Sequence, residues 1–260
     1  MIQLSVQETG PATAPSVALL HGAGTSGWMW RRVVDLLGNR LHLLVVDLPG
    51  HGDSSRRRWE SMADTAAAVA DLILARAHGS QAHVIGLSLG GYLAADLAAT
   101  RPDLVPGAVV SGVNVLPFPN PRMMRVAGRL TGPLLRWPPL IRANARTLGV
   151  PPADVDGYVH AASTVAPGTH LRVGAELLDY RLPEAAAASP SRVLAVAGER
   201  EHALILQSLT PIAAAFPRGA ARVVPGLGHA WVGQDPQLFA AMVDAHVAAA
   251  PPPVQLAAPA

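Results

Sequence analysis

The sequence contains no cysteine and no lysine, and it has no long uninterrupted apolar run. Without thiols, neither a disulfide framework nor a thiolate metal site can form, and thiol usage says nothing about redox compartment. All the basic residues are therefore arginine, and only Arg56, Arg57 and Arg58 form a run. Nucleic acid or an anionic membrane is recognised by basic residues gathered on one face or stripe. Scattered arginines, with a formal net charge of +2, argue against both and favour a small-molecule partner. The apolar stretches are broken by glycine, proline or charge well before the roughly 20 residues that span a bilayer. Residues 1–10 lack a basic start followed by an apolar run, so no secretory signal is read there. A soluble, cytoplasmic protein is the expectation.

What is present is a chain of 260 residues, half of them apolar, enough to bury the core of one large domain. Short apolar runs at 16–20, 41–47, 83–87, 107–111, 192–197 and 221–224 read as strands, and residues 2–7 as an antiparallel edge strand. Helical patterns at 28–37, 61–77, 89–100, 203–216 and 236–249 follow them. This alternation predicts an α/β fold, a mostly parallel sheet flanked by helices. Runs that are apolar throughout suit strands buried on both faces. The rhythm breaks between 115 and 190, where prolines punctuate helical patterns at 123–130, 140–148, 152–164 and 171–180. Residues 115–190 are therefore expected to form an inserted helical cap on a core of 1–114 and 191–250. Residues 251–260, rich in proline and alanine and without a charged side chain, read as a disordered tail.

The chemistry centres on G-L-S-L-G at 86–90. A strand that feeds directly into a helix must turn sharply, and the residue at the turn is held in a strained conformation that projects its side chain. Gly86, Gly90 and Gly91 supply clearance around Ser88, and the following helix aims unpaired amides, Leu89 N–H first, at a developing oxyanion. A serine hydroxyl needs a base, itself oriented by a third group. His229, in P-G-L-G-H-A-W just beyond the last strand, projects from the same sheet edge, with His51 and His202 as minor rivals. The strand at 192–197 ends in G-E-R-E-H, which offers Glu199 and Glu201 as the acid. A solvated or helix-capping role suits Glu199.

Together these residues resemble the α/β-hydrolase superfamily over nearly the whole chain outside the cap and tail. H-G-A-G at 21–24 is similar to the family's oxyanion loop, which implies Ala23 N–H as a second donor opposite Leu89. D-L-P-G-H-G-D-S at 47–54, G-L-S-L-G-G at 86–91 and G-L-G-H at 226–229 match further family loops. The resemblance implies the chain order Ser, acid, His, satisfied by Ser88, Glu201 and His229. Relatives commonly carry aspartate three residues after the glycine that closes the strand; here that position is Glu201. The implied activity is hydrolysis of a small to medium, largely apolar carboxylic ester or lactone through an acyl-enzyme on Ser88, with no metal or organic cofactor. Pro117, Phe118, Met123, Met124, Leu134, Leu135, Trp137 and Leu140 make the cap apolar, and Trp28, Trp137 and Trp231 are the expected substrate-binding aromatics. The same fold also supports lyase or cyclase chemistry, or a ligand-binding receptor that retains a triad.

Overall fold

Among the described residues seven strands form one sheet in the order β1-β3-β2-β4-β5-β6-β7. They are β1 (Ser5–Thr9), β2 (Ser16–Leu20), β3 (His42–Asp47), β4 (Ala82–Leu87), β5 (Gly107–Ser111), β6 (Arg192–Gly198) and β7 (Arg218–Val224). Only β1 runs antiparallel, against β3; every other neighbouring pair is parallel. The structure, a computed structural model, describes residues 4–132 and 137–259.

The period of two along each strand sorts side chains to opposite faces of the sheet. On β2, Ala18 and Leu20 join the layer built by α2 (Met62–Arg76), α3 (Leu89–Thr100) and α8 (Ala203–Ala215). Val17 and Leu19 face the other layer, with Trp30, Val33 and Leu37, and with Phe239 and Met242 from α10 (Pro236–Val247). Both faces are covered, which is why the central strands read as unbroken apolar runs. Helix starts follow local chemistry. Ser61 Oγ accepts from Asp64 N–H at the start of α2, and Asp235 Oδ1 from Leu238 N–H at the start of α10.

Among the described residues four α-helices lie between β5 and β6, α4 (Pro121–Thr131), α5 (Pro138–Leu148), α6 (Val155–Ser163) and α7 (Thr169–Leu177). Proline at the first turn of α4 and α5 costs no hydrogen bond, because those amides have no intrahelical acceptor. Two further short helices are α1 (Arg31–Leu37) and α9 (Trp231–Gln234). The helix expected at 28–37 divides into a 3-10 turn at Gly27–Trp30 followed by α1, because Ser26 Oγ and Asp47 Oδ1 hold the amides of Trp28 and Gly27. Among the described residues no helix is long and apolar enough to cross a membrane.

Three expectations about the chain ends are corrected. The first strand starts at Ser5 rather than residue 2, and Ile2 lies outside the described residues. Strand β7 starts at Arg218 rather than 221, since its pairing with β6 extends back to Arg192 and an edge strand needs no apolar run to be paired. Of the tail expected to be disordered at 251–260, residues 251–259 are docked instead. Val223 and Ala257 exchange backbone hydrogen bonds of 2.8 and 2.9 Å, and Leu256 is buried in the second core layer. The free edge of β7 supplies donors and acceptors that composition alone does not reveal.

Candidate functional site

The carboxyl edge of the parallel strands carries the site, because β2, β4, β6 and β7 all end there. Ser88 follows β4 with φ 53° and ψ −117°, a conformation strained for any residue with a side chain. Its N–H donates to Ser111 O at 2.8 Å, and its carbonyl accepts from Gly91 N–H at 2.7 Å, which locks the turn from both sides. The helix beyond it approaches β2 so closely that a Cβ on Gly90 would lie 2.0 Å from Leu20 O. Only glycine permits this packing.

Two backbone amides lie near the serine, that of Ala23, which lines the same cavity, and that of Leu89, which follows it in the chain. Among the described residues neither Ala23 N–H nor Leu89 N–H has a protein acceptor. The loop that bears Ala23 is fixed by two buried imidazoles. His21 Nε2 accepts from Leu48 N–H at 3.0 Å, so Nδ1 carries the proton and donates to Gly22 O at 2.8 Å. His51 accepts from Gly24 N–H at 3.3 Å and donates to Pro49 O at 2.9 Å. His51 is therefore a brace for this loop, with both ring nitrogens committed to backbone. His202, the other minor rival for the base, caps α8 by accepting from Leu204 N–H.

Burial holds these imidazoles neutral: desolvation lowers His21 to about 4 and His51 to about 3. The same cause lowers His83 to about 4 and His246 to about 3 at the opposite edge of the sheet, where their rings meet edge-on. A histidine with a folded pKa below its unfolded value of about 6.5 takes up a proton on unfolding between the two, so stability is lost as pH falls. Each of the four contributes a slope of up to about 1.4 kcal/mol per pH unit in that window. Asp96 acts oppositely, since burial raises it to about 6 and favours the folded state when protonated. The histidines outnumber it. The melting temperature is expected to fall steeply from pH 6.5 to 4.5; a flat profile would contradict this account.

His229 follows β7, and its Nδ1 lies 2.7 Å from Glu201 Oε1, with the carboxylate side chain only 4% exposed. The pair sits over the turn after β5. Gly112 there has φ 64°, and a Cβ on it would lie 2.8 Å from His229 Cε1 and 3.1 Å from Glu201 Oε1. Gly112 directly follows β5 in the chain, but its role depends on two loops distant in sequence. Glu199 is elsewhere, accepting from Gly226 N–H at 2.7 Å and holding the β7 turn. The histidine loop is also tied to the helical insertion. Gln234 accepts from Gly228 N–H at 2.9 Å and donates to Gly149 O at 2.7 Å, while Ala230 N–H reaches Leu148 O at 2.9 Å.

Ser88, His229 and Ala23 line one cavity of about 80 Å³. Its walls are largely apolar, with Met29, Leu87, Leu148, Val150 and Val232. Of the three expected aromatics Trp28 lines it, packed against α6 at Gly157. The other two expected aromatics do not. Trp231 is fully buried beneath the site, donating from Nε1 to Ser111 Oγ at 3.0 Å and packing on Phe239 at 4.5 Å. Trp137 is 59% exposed at the start of α5, outside the cavity. Nor do Pro117, Phe118, Met123, Met124 or Leu140 reach this cavity; Met123 on α4 is 65% exposed. Leu134 and Leu135 lie outside the described residues. The insertion supplies its wall instead from the end of α5 and from α6, through Leu148, Val150 and Tyr158.

A family model described as alpha/beta hydrolase family matches residues 17–242. An AB hydrolase superfamily protein from Gibberella zeae is 42% identical over 101 residues, which are 38% of this chain and 36% of that protein. A pimeloyl-[acyl-carrier protein] methyl ester esterase from Chromobacterium violaceum is 44% identical over 92 residues, 35% of this chain and 34% of the relative. The matched segments thus span about a third of these curated relatives. Among solved structures, a thermophilic esterase from Thermogutta terrifontis superposes with a TM-score of 0.76 at 20% identity, covering 93% of this chain and 91% of that one. At that identity the likeness is one of fold.

Proposed function

The chain belongs to the alpha/beta hydrolase family, and from that footing we propose that it is a serine hydrolase of small to medium, largely apolar carboxylic esters or lactones. The observation that carries this reading is the 2.7 Å pair of His229 Nδ1 and Glu201 Oε1, with His229 sharing a cavity with the strained Ser88. A carboxylate only accepts, so His229 Nδ1 carries the proton and Nε2 keeps its lone pair for Ser88.

In this mechanism Nε2 takes the hydroxyl proton as Oγ attacks the acyl carbon. Glu201 stabilises the resulting imidazolium, and the amides of Ala23 and Leu89 receive the tetrahedral oxyanion. The imidazolium returns its proton to the leaving alkoxide, and a water activated by Nε2 then releases the acid. The unpaired state of both amides supports their role, since preorganised donors need no rearrangement when charge develops. Residues 115–190 act as the cap over a core of 1–114 and 191–250, a division supported by the cap side chains in the cavity wall. No metal or organic cofactor enters these steps.

A fluorophosphonate probe is expected to label Ser88, located by peptide mass spectrometry, in a protein that hydrolyses short-chain esters or lactones faster than amides. A protein unlabelled at Ser88 and inactive on esters, thioesters and lactones would rule the reading out.

A further inference from the structure

The cavity beside Ser88 has a feature that ester hydrolysis does not require. Among the described residues its charged lining residues besides His229 are Arg31 and Asp154, set in largely apolar walls. Asp154 is buried, and its Oδ1 accepts from both Arg31 Nη2 and Arg32 Nη2, the latter at 2.9 Å. Arg32 spends a further donor on Gly233 O at 3.0 Å. The Arg31 guanidinium spends none elsewhere: among the described residues its remaining N–H groups have no protein acceptor. Its guanidinium lies 4.2 Å from the centroid of the Trp28 ring.

Of the two guanidinium groups on Asp154 only Arg31 lines the cavity, and with Arg32 behind it the trio carries an excess of one positive charge. Asp154 Oδ2 remains there as an acceptor, but the summed charge still favours an anion. Arg31 is already held by Asp154 and by the Trp28 face, so little side-chain freedom is lost when it binds. A planar guanidinium with several unused N–H groups matches a carboxylate, which it can bind through two parallel hydrogen bonds.

We infer that Arg31 forms a specificity site for a carboxylate at the far end of the acyl group, so that the preferred substrates are monoesters of short dicarboxylic acids. The inference rests on the hydrolase reading of Ser88 and narrows its substrate class. The apolar side chains Leu87, Leu148 and Val232 receive the methylene stem, and Arg31 receives the terminal anion. The volume of about 80 Å³ is small against the roughly 300 Å³ at the lower end of sites for drug-sized ligands. A short stem follows.

The test compares monomethyl glutarate with its neutral counterpart of similar shape, methyl 5-methylhexanoate, by methanol release. The expected ratio of kcat/KM favours the anionic ester by about tenfold or more at low salt, and Arg31→Gln lowers that ratio by at least about tenfold. Arg31→Lys, which keeps the charge but loses the fork, retains part of the preference and guards against a variant that misfolds. Binding of monomethyl glutarate to Ser88→Ala protein is measured in parallel by calorimetry, with and without Arg31→Gln. A weaker Kd on removal of Arg31 supports the carboxylate site even if no ester is cleaved, in which case only the hydrolase reading fails. An unchanged Kd, or a preference for the neutral ester that Arg31→Gln leaves intact, overturns the inference.

Discussion

Replacing Ser88 by alanine is expected to lower kcat for ester hydrolysis by about 10⁴-fold or more, with the fold retained. The backbone at Ser88 is held by its own N–H on Ser111 O and its carbonyl under Gly91 N–H. Alanine keeps both bonds and meets the same positive φ, so the melting temperature should stay close to that of the parent. The effect belongs to the missing Oγ. Residual catalysis from the amides of Ala23 and Leu89, the donors proposed for the oxyanion, would survive, which is why the loss is large but finite. Fluorophosphonate labelling should vanish together with turnover. Parent-like turnover by Ser88→Ala would remove the serine from the mechanism, whatever the state of its neighbours.

The second large effect is at the acid. Glu201→Gln is expected to reduce kcat by roughly 10³- to 10⁴-fold, because an amide can donate to the imidazole and turn it into the wrong tautomer. It also withdraws the negative charge that balances the imidazolium. Glu199→Gln should change kcat by no more than a few fold, since that carboxylate holds Gly226 N–H in a turn. Measuring kcat for both variants separates two glutamates that stand two residues apart. Equal losses, or the larger loss at Glu199, would reject the assignment of Glu201.

That pair shows where reading the chain reaches its limit. G-E-R-E-H offers two carboxylates at one sheet edge, and spacing favoured Glu201 only through family resemblance. The choice becomes physical once β7 is placed beside β6. His229 Nδ1 then meets Glu201, while Glu199 meets the β7 turn. The aromatic assignments divide similarly. Trp28, Trp137 and Trp231 all lie near candidate motifs or in the expected cap, yet one lines the cavity, one is exposed and one is core. Sequence proximity to a motif places a residue's backbone. It does not choose the face its side chain takes.

The sequence by itself determined the succession of strands and helices along the chain and the sharp turn at Ser88, while the Ala23 amide and the order of serine, acid and histidine were implied only by the family resemblance. The succession and the turn are written in signals that near neighbours carry: apolar runs of strand length, glycines at a sharp turn, a polar residue capping a helix. Tertiary structure alone decided the rest. Arg31 and Asp154 stand 123 positions apart and meet only because the insertion folds back onto the start of α1. Gly112 matters because two other loops converge above it, and the tail is ordered because an edge strand waits for it. Each depends on which distant surfaces close on one another, and that closure sets the burial, charge and room around Ser88.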